Sequence, residues 1–296
     1  MQQTEVLSAP AQQLVRSQSQ LAIVTRQLRR NPLALSGGAI VGLLMLVAIA
    51  APVVATHDPY DQNFQAALQG PSREHLFGTD DVGRDLFSRV VYGARISLRV
   101  GLLSVAIGGG VGLIFGIVAG YYVGRVDSVI MRFMDVLLAF PGLLLALGIV
   151  AVLGPGLFNV MIAVGIGNIP VYTRLARATT LGIRARDYVT AARAVGCSDT
   201  RIMWHYVLPN AIPPVIVLAT LGVAGAILTA ASLSFIGVGA QPPTPEWGAI
   251  LTLARQYLQR AWWFTLFPGL AIMVTVLAIN MLGDALRDAL DPRLRI

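Results

Sequence analysis

Apolar residues in this chain fall in long unbroken runs, not at the alternating spacing of a half-buried surface element. A membrane crossing needs about 20 apolar residues at about 1.5 Å of rise each. Residues 31–57 contain no Asp, Glu or Arg, and 33–54 reads as a first span. About 30 mostly polar residues precede it, and the run exceeds the 7–15 residues usual for a signal peptide, so an uncleaved anchor is expected. Residues 100–124 form the second charge-free run. Residues 136–173 are too long for one crossing. Gly154-Pro155-Gly156 favours a turn and divides them into a third and a fourth span. The third is expected to start near Val129, with Arg132 and Asp135 in its first turns and a kink at Pro141. Residues 202–245 also lack acidic residues and arginine. Pro209, Pro213 and Pro214 interrupt their start, and Pro242, Pro243 and Pro245 mark their end, leaving 212–238 as the fifth span. Residues 261–283 are the sixth. The fold expected is an all-α membrane protein with six transmembrane helices.

Small residues pattern two of these spans. Gly108, Gly112, Gly116 and Gly120 recur every four residues, as do Gly222, Ala226, Ala230 and Ser234. In lipid such a stripe lets another backbone approach closely. The partner is either a helix of the same chain or a second subunit. Arg132 and Asp135 lie three apart and are expected at the inner interface, snorkelling or paired. Pro141, Asn168, Ser232, Ser234 and Asn280 are, with Asp135, the candidates for lining a pathway.

Composition agrees and removes several chemistries. Hydrophobic residues make up 55% of the chain and charged residues 12%, with a mean hydropathy of +0.69. A soluble domain carries about 25% charged residues. The 22 cationic residues are all arginine. Without lysine there is no P-loop and no Schiff base. The one cysteine, Cys197, excludes an internal disulfide. His57, His75 and His205 lie far apart without ligand spacing, so no metal site is expected. A net charge of +7 suits the positive-inside rule better than nucleic acid. With the N-terminus inside, fifteen arginines fall on inner segments and seven on outer ones, which favours both termini inside.

The inner segment 174–211 is long and rich in arginine. Asp187 is placed to cap a short helix, Ala191 and Ala192 give it a close-contact face, and Gly196 suits its C-terminal stop. Pro209 starts the next segment. The spacing resembles the E-A-A-x3-G-x9-I-x-L-P motif of ABC importer permeases. Thr190, Ala191, Ala192, Gly196, Tyr206, Leu208 and Pro209 fall on its positions, with Thr190 in place of glutamate and Tyr206 in place of isoleucine. The stretches 75–89, 93–98, 239–248 and 283–292 resemble hallmarks of the dipeptide/oligopeptide/nickel permease family, nearest the C-type permease of dipeptide importers. The likeness covers almost the whole chain beyond residue 30.

The resemblance implies a type I importer permease fold in the bacterial inner membrane. It implies a second homologous permease, two P-loop ATPases holding ATP and Mg, and an extracytoplasmic substrate-binding protein. This chain would bind no cofactor and catalyse no reaction itself. Asp187, Tyr188 and the motif residues would form the ATPase-coupling loop. Asp80, Asp81, Arg84 and Asp85, with Gln241, Glu246 and Trp247, are candidates for contact with the binding protein. A self-paired cap is the alternative for the first group, and Trp247 also suits an interfacial anchor. Asp284, Arg287, Asp288 and Asp291 have helix spacing in the tail. The expected organisation is a cytoplasmic segment 1–30, a first helix and outer loop 31–95, a permease core 96–283 and a tail 284–296. Within that family, import of nickel, glutathione or an oligosaccharide is the alternative to di- or oligopeptide import. A secondary transporter or channel would need an intramembrane acid, for which Asp135 is the one candidate, and an inverted repeat that is not evident. A non-transporting adapter would need a larger polar domain than these loops offer. An interfacial helix near 21–30, after a disordered Gln- and Ser-rich stretch, is also expected.

Overall fold

Asn31 opens the first helix by accepting the backbone N–H groups of Leu33 (2.9 Å) and Ala34 (3.4 Å), with Pro32 at the first position, where its missing N–H costs nothing. The computed structural model describes residues 27–29 and 31–290. The interfacial helix near 21–30, the disordered stretch before it, and Asp291 lie wholly or largely outside the described residues. Nine helices of eight or more residues follow among the described residues: α1 (Pro32–Ile49), α2 (Leu86–Tyr122), α3 (Gly124–Leu138), α4 (Gly142–Leu153), α5 (Leu157–Arg184), α6 (Asp187–Ala194), α7 (Leu208–Ile236), α8 (Trp247–Ala254) and α9 (Trp262–Leu290). The described residues contain no strand.

The α2/α5 pair is the centre of the bundle. A Cβ on Gly108 would lie 2.7 Å from the Gly165 carbonyl oxygen, and one on Gly112 2.8 Å from that of Ile169. Only hydrogen at these positions lets the two backbones meet, so the glycine stripe serves packing within this chain. The second stripe does likewise: Ala226, Ala230 and Ser234 are buried, and Gly222 faces the Tyr172 hydroxyl. Around this pair α7 packs on α2 and α5, α9 on α7 and α1, and α4 on α5.

Four continuous helical stretches are long and apolar enough to cross a membrane: α1, α2, Asp199–Ile236 and α9. The pair α3 and α4 passes together but is bent by 91°. The kink expected at Pro141 is thus a full break between two helices of 15 and 12 residues. Proline pushes Phe140 out of the helical region and offers no N–H, so α3 stops at Leu138 and α4 restarts at Gly142. The turn at 154–156 falls where expected, with Gly154 and Gly156 at φ of +92° and +142°.

Three boundaries need correction. The second helix starts at Leu86, not near residue 100, and so crosses the expected 95/96 division. Charge-free runs miss this because Arg89 is buried and paired, while Arg95 and Arg99 lie on the exposed face. Pro213 and Pro214 do not interrupt the fifth span; they sit in the early turns of α7, with Pro209 at its N-terminus. The sixth helix continues past 283 to Leu290 and carries Asp284, Arg287 and Asp288, with no ion pair among the three.

Candidate functional site

One end of the bundle carries the 174–211 segment. α5 ends at Arg184, and Arg186 takes the cap position of α6 without a side-chain bond. Asp187 is therefore the first helical residue and not the cap, acting on the helix dipole alone. The C-terminus follows the Schellman pattern. Gly196 adopts φ +80°, its N–H bonds the Arg193 carbonyl at 2.9 Å, and the Cys197 N–H bonds that of Ala192 at 3.0 Å. Ser198 then caps a four-residue helix, Asp199–Ile202. A π turn, Met203–Val207, joins it to α7. Helix irregularities of this kind recur at functional sites.

Two faces divide α6. Val189 and Ala192 are buried with Ile117, Tyr121, Ile183, Ile202, Val207 and Ala211, while Tyr206 and Leu208 are half-buried against them. Asp187, Tyr188, Thr190, Ala191 and Gly196 are exposed, as is Pro209 at the head of α7. Ala191 and Ala192 therefore do not share one contact face, since adjacent helical residues point about 100° apart. Val195 and Trp204, at 79% and 63% exposure, extend the apolar surface and escaped sequence reasoning. Tyr121, at the end of α2, anchors the segment: its hydroxyl lies 2.6 Å from Asp199 Oδ1, and the Arg193 guanidinium sits 5.2 Å from its ring. Two ion pairs tie α3 to α5, Arg177–Asp127 at 2.6 Å (Nη2–Oδ2) and Arg174–Asp135 at 2.7 Å. The partner of Asp135 is thus Arg174 on another helix and not its sequence neighbour Arg132.

A cleft of about 340 Å³ lies between α4, α5 and α7. It brings Asn168 and Ser232 together, beside Gly142 and Thr229, neither of which stood out in the sequence. Pro141 adjoins Gly142 at the break. Ser232 and Thr229 direct their hydroxyls at the carbonyls of Leu228 and Gly225. Ser234 does not line this cleft. It is buried and accepts the Ala240 N–H at 3.2 Å. Asn280 is half-buried on α9, and Asp135 is on α3 beside Arg174.

The opposite end of α2, about 55 Å away by its 37 residues, holds the acidic segment. Asp80 is fully buried and accepts the backbone N–H groups of Val82 (3.0 Å) and Arg84 (2.9 Å) and the Arg84 side chain (2.6 Å). Arg89 Nε lies 3.3 Å from Asp80 Oδ2, the same oxygen that Arg84 Nε approaches. Buried charge requires this pairing. Arg89 Nη1 also donates to the Pro59 and Pro243 carbonyls, joining the two loops. Trp247, expected as an interfacial anchor, is buried at 1% exposure and donates to the Val90 carbonyl at 2.9 Å. Asp80, Arg84, Asp85, Glu246 and Trp247 are therefore interior to a self-paired cap and present no surface; Gln241 is exposed and Asp81 partly so. Burial, with Asp80 alongside, raises the Asp81 pKa. Two of the three histidines, His57 and His75, meet here beside Asp85, against the expectation from their separation in sequence.

Glu246 caps α8 by accepting the Ala249 N–H at 2.9 Å. Burial pushes its carboxyl pKa up, against the lowering influence of its backbone and hydroxyl donors. An acid raised on folding contributes stability below its unfolded pKa, lost as pH rises through the folded value. Glu246→Gln keeps an acceptor and removes the charge. Its unfolding midpoint, followed in detergent across an acid-to-neutral pH series, is expected to gain on that of the parent as pH rises. Parallel curves would refute this.

Residues 112–296 match the family described as binding-protein-dependent transport system inner membrane component, and 19–71 match the N-terminal TM domain of oligopeptide transport permease C. The chain belongs to this family of ABC importer permeases. The permease is 49% identical over 270 residues to the dipeptide transport system permease protein DppC of Alkalihalophilus pseudofirmus, covering 91% of this chain and 89% of that one. It is 48% identical over 271 residues to the glutathione transport system permease protein GsiD of Escherichia coli O6:K15:H31, with 91% and 89% covered. A chain of the MetNI methionine ABC transporter in an inward-facing conformation shares the fold, at TM-score 0.56 and 19% identity, over 70% of this permease and 98% of that chain.

Proposed function

We propose that this permease is one of two membrane subunits of a type I ATP-driven importer that carries di- or oligopeptides across the bacterial inner membrane. It crosses six times with both termini inside, α3 and α4 counting as one crossing and α5 as another. Two P-loop ATPases, which hold ATP and Mg, dock beneath the 174–211 segment, and an extracytoplasmic binding protein delivers cargo at the far end. This chain holds no nucleotide of its own.

The observation that carries this reading is the build of α6. One face is locked to the bundle by Val189 and Ala192, and the other offers Tyr188, Thr190, Ala191 and Val195 to a partner. A force on that outer face passes through the Tyr121–Asp199 contact to α2 and through the π turn to α7. Pro213 and Pro214 lack the N–H groups that would bond the carbonyls one turn back, so the start of α7 is a compliant joint. Both α2 and α7 reach the centre of the bundle, and α7 borders the cleft through Thr229 and Ser232, with Asn168 of α5 lining it too. Nucleotide bound elsewhere can thereby bias two arrangements of the spans.

Peptide cargo is favoured by the dipeptide relative, and the glutathione relative, at nearly the same identity, keeps glutathione as the alternative cargo. A proton-coupled carrier is disfavoured because Asp135 is half-exposed and paired with Arg174. Affinity purification from the native membrane in mild detergent, with mass spectrometry, is expected to recover a second permease and P-loop ATPases. Reproducible recovery of this chain alone, still active in uptake, would overturn the proposal.

A further inference from the structure

We propose that His57, His75 and Asp85 form a binding site for one divalent transition-metal ion, zinc best matching the donors, at the head of α2. Each side chain offers one ligand atom, and the three atoms lie within 4.8 Å of one another. Tetrahedral zinc with bonds of about 2.0–2.1 Å needs ligand atoms about 3.3 Å apart, so the side chains need only close in by rotation. Two imidazoles and one carboxylate are a frequent zinc donor set that leaves a fourth position to water. His57, with 39% of its side chain exposed, puts that position at the solvent edge.

The scaffold is already built. The His57 N–H donates to Ser88 Oγ at 3.0 Å, which fixes the chain after α1 against the first turn of α2. The His75 N–H donates to Ser72 Oγ at 3.0 Å. Asp85 Oδ2 accepts the Ser88 N–H at 2.8 Å and faces the Thr56 hydroxyl at 3.3 Å. Asp85 Oδ1 faces the two rings alone, at 2.9 Å from His75 Nδ1 and 3.8 Å from His57 Nδ1.

Charge is the second, independent observation. Asp85 is buried, yet among the described residues no arginine pairs with it, although its neighbour Asp80 has two. A buried carboxylate needs a compensating cation. The imidazole rings, 4.9 Å apart between centroids, place their ring nitrogens on the side where that cation belongs. A metal there would staple the segment following α1 to α2, independently of the coupling segment about 55 Å away.

The test uses the full-length chain in lipid nanodiscs, stripped with chelator and titrated with Zn²⁺, with Co²⁺ as the spectroscopic probe. One saturable equivalent per chain is expected, together with a zinc-dependent rise in unfolding midpoint. Cobalt should show the visible band of a low-coordinate nitrogen and oxygen site. His57→Ala, at an exposed position, is expected to weaken binding at least about ten-fold and to remove the rise. His205→Ala, whose ring lies at the other end of the molecule, should change neither. Absence of saturable binding, or equal binding by His57→Ala and the parent, would overturn the site.

Discussion

Gly196→Arg is expected to cut ATP-driven uptake by at least about ten-fold while the assembled complex keeps hydrolysing ATP, the loss corresponding to about 1.4 kcal/mol or more of coupling. Gly196 closes the Schellman turn of α6 at φ +80°, where a side chain costs about 1–2 kcal/mol of backbone strain. Beyond its chain neighbours nothing lies within 4 Å of its Cβ position, so a side chain has open space to leave the backbone. The added bulk and charge therefore fall on the exposed side, next to Val195, where the ATPase is proposed to dock. Gly196→Ala carries the same strain without the bulk and is expected to lose much less uptake. Parallel assays of uptake and hydrolysis in proteoliposomes containing the whole transporter measure both. Unchanged uptake with Gly196→Arg would remove α6 as the coupling element, and equal losses in the two variants would assign the effect to strain.

Gly116→Leu should leave little folded permease in the membrane. A Cβ at this position lies 2.6 Å from the Thr173 carbonyl oxygen and 2.9 Å from the Arg177 nitrogen. Those are backbone atoms of α5, which cannot step aside as a side-chain tip can. Overpacking typically costs about 1–3 kcal/mol, and four added carbons at a backbone-to-backbone crossing belong at or above the upper end. Gly110→Leu is the matched control. It adds the same atoms to α2 with nothing within 4 Å. The yield of monodisperse protein and its unfolding midpoint compare the two. Equal behaviour would mean that the glycine stripe does not set the α2/α5 distance. The result also separates packing within the chain from packing between subunits, because the three atoms nearest a Cβ at Gly116 all belong to α5 of its own chain.

Function-bearing parts differ in how visible they are along the chain. The α6 turn was legible because a glycine stop is a local event, fixed by the conformation of one residue and the N–H groups beside it. The cap role given to Asp187 failed by one residue: Arg186 occupies the extended position before the helix, and helix ends shift by a residue or two without changing the pattern inside. Asn168 and Ser232 were identifiable as polar residues in apolar runs, but their meeting in one cleft depends on how α5 and α7 cross. Ser234, two residues on, looks the same in sequence and points instead into the buried cap at Ala240.

By itself the sequence determined the all-helical class, most of the apolar runs, the turn at 154–156, the close-packing role open to the glycine stripe, and membership of the permease family. The first four rest on hydropathy, turn chemistry and spacing, which act over a few neighbouring residues; the last rests on the resemblance of whole motif stretches to a known family. Tertiary structure alone decided the rest. It extended α2 through Arg89, because Asp80 and two loop carbonyls, one of them 154 residues away, neutralise and bond that side chain. It turned the kink at Pro141 into a 91° break, paired Asp135 with Arg174, buried Trp247, and brought His57 and His75 to Asp85. Each of these depends on which distant group occupies the space beside a charge or a ring. Spacing along the chain carries no record of that, since burial and pairing are properties of the packed bundle.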